Sequence, residues 1–161
     1  CPCGYYKHPD KDCMCAPGMV QNYLNKISGP LLDRIDLHVE VTPVSFDELA
    51  HHKPKEGSKE IRDRVIETRM LQEERFKQFE SIHCNAQMGS KDIRSYCQIS
   101  KSGNEILKRA MDTLGLSARA YDRILKVART IADIEKSPSI ETQHLAEAIQ
   151  FRSLDRENWA G

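Results

Sequence analysis

The sequence predicts a mainly α fold, a helical bundle preceded by a short strand-containing stretch, and three patterns predict it. Beyond residue 59 every strong signal is helical, with apolar residues recurring at spacings of three and four between capping residues. Residues 35–44 instead hold Leu37, Val39 and Val41 at period two with β-branched content, the pattern of a strand. The first fifteen residues are rich in Cys, Pro and Gly and read as an irregular knuckle.

In chain order, Val20, Tyr23, Leu24 and Ile27 share one face of a helix over 17–27, stopped by Gly29-Pro30. After the strand, Ser45-Phe46-Asp47-Glu48 is a capping-box pattern for a short helix that breaks by His51-His52-Lys53-Pro54. Residues 53–59 are charged and carry Pro54 and Gly57, which marks a hinge between a unit 1–52 and a unit 59–161. A charged helix over 59–80 offers Ile61, Val65, Phe76 and Phe79 for burial, with Glu60/Arg64 and Glu73/Lys77 as i,i+4 pairs. Ser102-Gly103-Asn104-Glu105 opens a helix whose Leu107, Ala110, Met111 and Leu114 share a face before Gly115 ends it. Ser117 caps the next helix, which aligns Ala118, Tyr121, Leu125, Ala128 and Ala132 and pairs Arg129 with Asp133. Past Pro138, a last helix over 142–152 turns Leu145, Ala148 and Ile149 inward.

The 161 residues fit one domain, or a small domain plus the remnant of another. Lysine plus arginine equal aspartate plus glutamate at 24 each, so no global positive field draws nucleic acid and any DNA contact must be local. No run of 18 apolar residues and no signal-peptide pattern occurs, which predicts a cytoplasmic protein without a membrane span. Cys1 in place of Met leads to the expectation that the chain begins inside a larger protein.

Four of the six cysteines lie within the first fifteen residues, as Cys1-Pro2-Cys3 and Cys13-Met14-Cys15. In a reducing compartment such clustering points to metal, and four thiolates suit a closed structural Zn²⁺ tetrahedron with no open position for catalysis. The C-x-C spacing is tighter than ordinary knuckles use and makes backbone hydrogen bonds to sulfur harder to arrange; free or oxidised thiols are the alternative. His8 in the same loop is a possible substitute ligand. Cys84 and Cys97 read as packing residues.

By spacing alone, Arg34 is a solvated strand-edge residue held by Asp33 or Asp36, and Arg119, Arg123 and Lys126 are a cationic face balanced by Asp122 or Asp133. No Ser/His/Asp triad is discernible. Glu73-Glu74 reads as a solvated pair and His38 as a partly buried packing residue. No Gly-x-x-x-x-Gly-Lys-[Ser/Thr] loop occurs. The nearest sequence, Gly89-Ser90-Lys91, lacks the upstream glycine and the expected strand before and helix after it. There is also no apolar strand ending in an Asp-Glu pair to hold Mg²⁺.

Ser28-Gly29-Pro30-Leu31-Leu32-Asp33-Arg34-Ile35-Asp36 and Leu116-Ser117-Ala118-Arg119-Ala120-Tyr121-Asp122-Arg123-Ile124-Leu125 make the chain resemble the C-terminal part of a magnesium-chelatase-like AAA+ ATPase of the competence-protein ComM (YifB) family, from Cys1 to about residue 156. The resemblance implies the end of an α/β core with the Cys knuckle in 1–52 and an all-helical lid in 59–161. It implies that Arg34 is the arginine finger, reaching the neighbouring subunit's ATP, and that Arg119 is the sensor-2 arginine, with Arg123 as the fallback. It further implies ATP and Mg²⁺ bound by the full-length protein, a self-assembled hexameric ring, and DNA translocation or branch migration in recombination or transformation. The alternatives are a magnesium chelatase subunit inserting metal into a porphyrin, and a zinc-stabilised helical interaction module. Because the phosphate loop and Mg²⁺ carboxylates are missing from these residues, the 161-residue chain alone is expected to show no ATP turnover; steady hydrolysis by the pure chain refutes the assignment.

Overall fold

The structure, a computed structural model, describes residues 1–39, 41, 43, 44 and 56–152. Among these the chain is helical, as the periodicity predicts: α1 Pro17–Leu24, α2 Gly29–Leu32, α3 Ser58–Phe76, α4 Ser90–Tyr96, α5 Lys101–Leu114, α6 Ala118–Ile134 and α7 Thr142–Gln150, with a 3-10 turn at Asn85–Gln87. Residues 1–15 hold turns and bends without helix or strand. No described helix is long and apolar enough to cross a membrane.

Helix α6 is the axis of the bundle. α3, α4 and α7 pack on it, and α5 packs on α7. Its stripe of Ala120, Ile124, Leu125, Ala128, Ile131 and Ala132 is buried, and Phe76, Met88, Ile93, Leu107, Ile140, Leu145 and Ala148 close the core around it. Small residues on this stripe let neighbouring helices approach closely. Gly103 of α5 serves the same end, since a Cβ there would stand 2.8 Å from Leu145 Cδ1.

The caps are partly those expected. Ser117 Oγ accepts the amide of Ala120 at 3.3 Å, and Gly115 leaves α5 in the left-handed region at φ 58°. α5, however, is capped by Ser100, which accepts from the Gly103 amide at 3.1 Å, two residues before the predicted Ser102. The 142–152 helix ends at Gln150, and Phe151 and Arg152 form a turn. At its start His144 Nδ1 accepts the Glu141 amide at 2.9 Å, while Nε2 meets Glu135 Oε2 at 3.0 Å.

Several expectations are corrected. Residues 35–39, 41, 43 and 44 form no strand; the only bridge among the described residues is a parallel contact of Ile99 with Ile140. A strand exists only by pairing, and here no described segment runs alongside, so Leu37, Val39, Val41 and Val44 stay exposed. The first helix ends at Leu24, capped at Asn25, three residues short of the predicted Ile27, and Gly29-Pro30 does not stop it but starts α2, with Pro at the first turn where its missing amide costs nothing. α4, with helix start at Ser90, was not foreseen, so a helix does follow Gly89-Ser90-Lys91; no described strand precedes it. The helix predicted after Ser45 and residues 53–55 of the 53–59 hinge lie outside the described residues, while 58 and 59 already belong to α3.

Helix α3 faces inward with Thr68, Gln72 and Phe76, not with Ile61 and Val65, which are exposed. The polar pair belongs inside because it is satisfied: Thr68 Oγ1 donates to the Arg64 carbonyl at 2.8 Å and Gln72 Oε1 accepts the Asn85 amide at 3.1 Å. Arg64 pairs with Glu56 instead of Glu60, and Lys77 with Glu74 instead of Glu73.

The buried Arg129–Asp133 pair is present at 3.0 Å, and it is part of a larger network. Asp133 also takes a two-pronged contact from Arg75, with Arg75 Nη1 at 2.7 Å, and a bond from Asn85 Nδ2 at 2.8 Å. Arg129 spends its remaining donors on the Ser137 and Pro138 carbonyls at 2.6 and 3.1 Å. Asp133→Ala would leave two guanidinium groups facing a vacancy, and is expected to cost about 3–5 kcal/mol in urea unfolding. Ser117→Ala is expected to cost only about 1 kcal/mol. Equal losses would mean that the network contributes no more than a cap.

Candidate functional site

Two constellations hold the chemistry-bearing residues. The first is the cysteine cluster. Cys1, Cys3, Cys13 and Cys15 place their sulfurs within 4.8 Å of one another, with Cys1–Cys3 at 3.4 Å, Cys3–Cys13 at 3.6 Å and Cys1–Cys13 at 3.5 Å. A zinc tetrathiolate with Zn–S of about 2.3 Å has S···S edges of about 3.8 Å, so the four donors fit that ion. Gly4 at φ 82° and Lys7 at φ 59° fold the loop back, and the Tyr6 amide donates to Cys1 Sγ at 3.1 Å. The C-x-C spacing thus does accommodate an amide-to-sulfur bond.

The Tyr5 backbone, aided by Cys15 and Cys13, holds the Cys3 thiol down at about 7 against burial. At Cys13 the Cys15 amide pulls the thiol down, but burial and the thiols of Cys3 and Cys15 win and push it up. A lowered thiol among acceptor sulfurs is the environment in which a cation replaces protons readily. His8 is outside the cluster: its Nδ1 accepts the Asp10 amide at 3.0 Å and its ring stands edge-on to Tyr5.

The second constellation joins residues far apart in sequence. α2 is a single turn, and Arg34 follows it in a turn closed by the Arg34 amide on the Leu31 carbonyl at 2.9 Å. The Arg34 guanidinium is exposed and donates to the Pro30 carbonyl at 2.8 Å. Neither aspartate holds it as spacing suggested. Asp33 is buried, and Asp36 pairs with Arg123 of α6. The Leu31–Asp36 motif is therefore fastened to the helix that carries Arg119 and Arg123.

On that helix the three cations have separate fates. Arg123 is committed to Asp36 and Lys126 donates to the Ala86 carbonyl at 2.9 Å, whereas Arg119 is exposed with no acceptor among the described residues. Asp122 is met by Ser90 Oγ at 3.2 Å, and Asp133 is occupied inside the bundle, so neither balances Arg119. His38 is buried, as expected, and its amide donates to the Phe151 carbonyl at 2.8 Å.

Sequence reasoning missed Arg152. Its side chain is only 1% exposed, and its guanidinium reaches the Ile35 carbonyl and, at 3.5 Å, that of Leu32. The available signal was a lone arginine directly after an apolar helix face, which is equally the signature of an ordinary C-terminal cation.

Residues 55–152 match the magnesium chelatase, subunit ChlI C-terminal family, and residues 1–49 match the magnesium chelatase, subunit ChlI family. The chain belongs to the magnesium-chelatase-like family, as a member of its ComM/YifB type. It is 39% identical over 156 residues to the uncharacterised protein YifB of Salmonella typhimurium, covering 96% of this chain and 29% of that protein. It is 39% identical over 142 residues to the competence protein ComM of Haemophilus influenzae, covering 88% and 27%. Against the uncharacterised protein Mb2921c of Mycobacterium bovis it is 32% identical over 152 residues, covering 94% and 29%. The chain thus spans under a third of the length of these relatives.

Cys84 and Cys97 separate in reactivity. Burial pushes the Cys97 thiol up to about 11, against the pull of Arg129 and Arg75, while Cys84 is half-buried. At pH 8 iodoacetamide is expected to alkylate Cys97 roughly 100-fold more slowly than Cys84, since only the thiolate reacts. Mass spectrometry of timed samples reads this out, and equal rates would contradict the buried placement.

Proposed function

We propose that this chain is the nucleotide-sensing C-terminal part of a ring-forming AAA+ ATPase that works on DNA, as translocation or branch migration. The observation that carries the reading is the Asp36–Arg123 pair, which sets the Arg34 motif beside the Arg119 helix. In this reading Arg34 is the arginine finger: a rigid, always protonated guanidinium, exposed at a turn, stabilises charge on the transferring phosphoryl group of a neighbouring subunit's ATP. Arg119 is the sensor in its own subunit. It is in the first turn of α6, where helix amides favour the same anion, and its guanidinium is free to swing. Arg123, held by Asp36, is the weaker candidate for that role. ATP and Mg²⁺ bind in the full-length protein, which assembles with itself, as a hexamer in this reading, in the cytoplasm.

The cysteine cluster supports a structural role for Zn²⁺ held by Cys1, Cys3, Cys13 and Cys15, tying down a loop that has no apolar core of its own. About one zinc per chain is expected by metal analysis of protein prepared without chelator. Cys3→Ser with Cys13→Ser should abolish it; zinc retained by that double variant would place the metal elsewhere. The division into 1–52 and 59–161 is part of the same proposal, and limited proteolysis should cut first between 51 and 58.

In the full-length protein, Arg34→Ala should lower ATP turnover about 10³-fold or more while leaving nucleotide binding nearly intact. Mixing in subunits that keep Arg34 but cannot bind ATP should restore part of the activity. The same mixture should not rescue Arg119→Ala. Identical rescue of both variants, or normal turnover by Arg34→Ala, would overturn these roles. The ChlI family matches favour a second reading, metal insertion into a porphyrin; a branch-migration assay set against a porphyrin metallation assay decides between them.

A further inference from the structure

The turn that carries Arg34 has little to hold it locally. α2 before it is four residues long, too short to be stable alone, and the residues after it form no described strand. Three contacts from the helical bundle hold it instead. Arg152 bridges the carbonyls of Leu32 and Ile35, which stand on either side of Arg34; the Phe151 carbonyl takes the His38 amide at 2.8 Å; and Arg123 pairs with Asp36. Arg152 is the largest fully buried side chain of the described residues. Burying a guanidinium is costly unless its planar donors are spent on acceptors, and here Nη1 and Nη2 go to the backbone on either side of one exposed arginine.

We infer that Arg152, with the Asp36–Arg123 pair, is a positioning device for Arg34, fixing the turn to α6 and to the end of α7. This rests on the reading of Arg34 as the finger. Two consequences distinguish it from simple packing. The device is needed in the subunit that supplies Arg34, not in the one that binds the ATP. Its loss also misplaces a group that acts in the transition state, so turnover falls while nucleotide affinity does not.

The test uses the full-length ring, with Arg152→Met, which keeps length and loses the donors, and Asp36→Asn, which removes the carboxylate charge. Each is expected to lower kcat at least about 10-fold, with ATP affinity within twofold of the parent, and Asp36→Glu should recover most of the rate. Subunits that keep Arg152, Asp36 and Arg34 but cannot bind ATP should rescue both variants, in the pattern expected for Arg34→Ala. Normal kcat in both variants while Arg34→Ala is inactive would overturn the positioning role alone. Lost ATP affinity without rescue would also overturn it, by showing that these residues act in their own subunit. Normal turnover by Arg34→Ala would overturn the finger reading and the positioning role together. Should Arg152→Met fail to assemble, Asp36→Asn decides, since the Asp36 side chain is 52% exposed and the core does not depend on it.

Discussion

One buried carboxylate organises the helical bundle. Asp133, in the last turn of α6, receives Arg75 from α3, Arg129 from its own helix and Asn85 from the turn between α3 and α4. Asn85 in turn accepts from Arg75 and donates to Thr130 at 3.1 Å, and its amide is taken by Gln72. A charge this deep survives only when its lone pairs are filled, so the network has one geometry and dictates how α3 and the connecting turn sit on α6. Apolar packing alone would permit α3 to slide along that surface. Asp133 also holds the Arg75 guanidinium above its ordinary value, by hydrogen bond and by charge.

With α3 and α7 fixed on α6, the outer face of α6 becomes a rigid platform. Arg119, Arg123 and Lys126 project from it, and among the described residues each meets something different: no acceptor, a carboxylate, a carbonyl. That division is what separates a residue available to a phosphate from one already engaged. Asp36 belongs to a motif more than eighty residues away in sequence, so one ion pair joins the platform to the Arg34 turn.

Much of this was legible in the sequence where the pattern is local. Helices α5, α6 and α7 announced themselves by periodicity, Ser117 and Gly115 by their capping chemistry, and the cysteines by their clustering. The strand over 35–44 was misread because period-two alternation says only that a chain can pair, not that a partner lies within reach. The inward face of α3 was misread because Thr68 and Gln72 are buried by virtue of bonds to distant groups, and those bonds leave no trace in hydropathy. Arg152 and the Asp36–Arg123 pair were illegible for the same reason: they are long-range polar contacts made by residue types that are usually solvated. Gly89-Ser90-Lys91 lacks the upstream glycine of a phosphate loop, but the expectation that no helix follows it was wrong.

The reach of Arg152 to the carbonyls of residues 32 and 35 spans 120 and 117 positions of sequence. Contacts of such separation close the largest loops and wait until the entropy of closure has been offset by the intervening structure. During synthesis the turn around Arg34 leaves the ribosome long before Arg152 is made. A chain stopped short of residue 152 could therefore carry every helix from α1 to α7 and still lack the two backbone contacts that flank its exposed arginine.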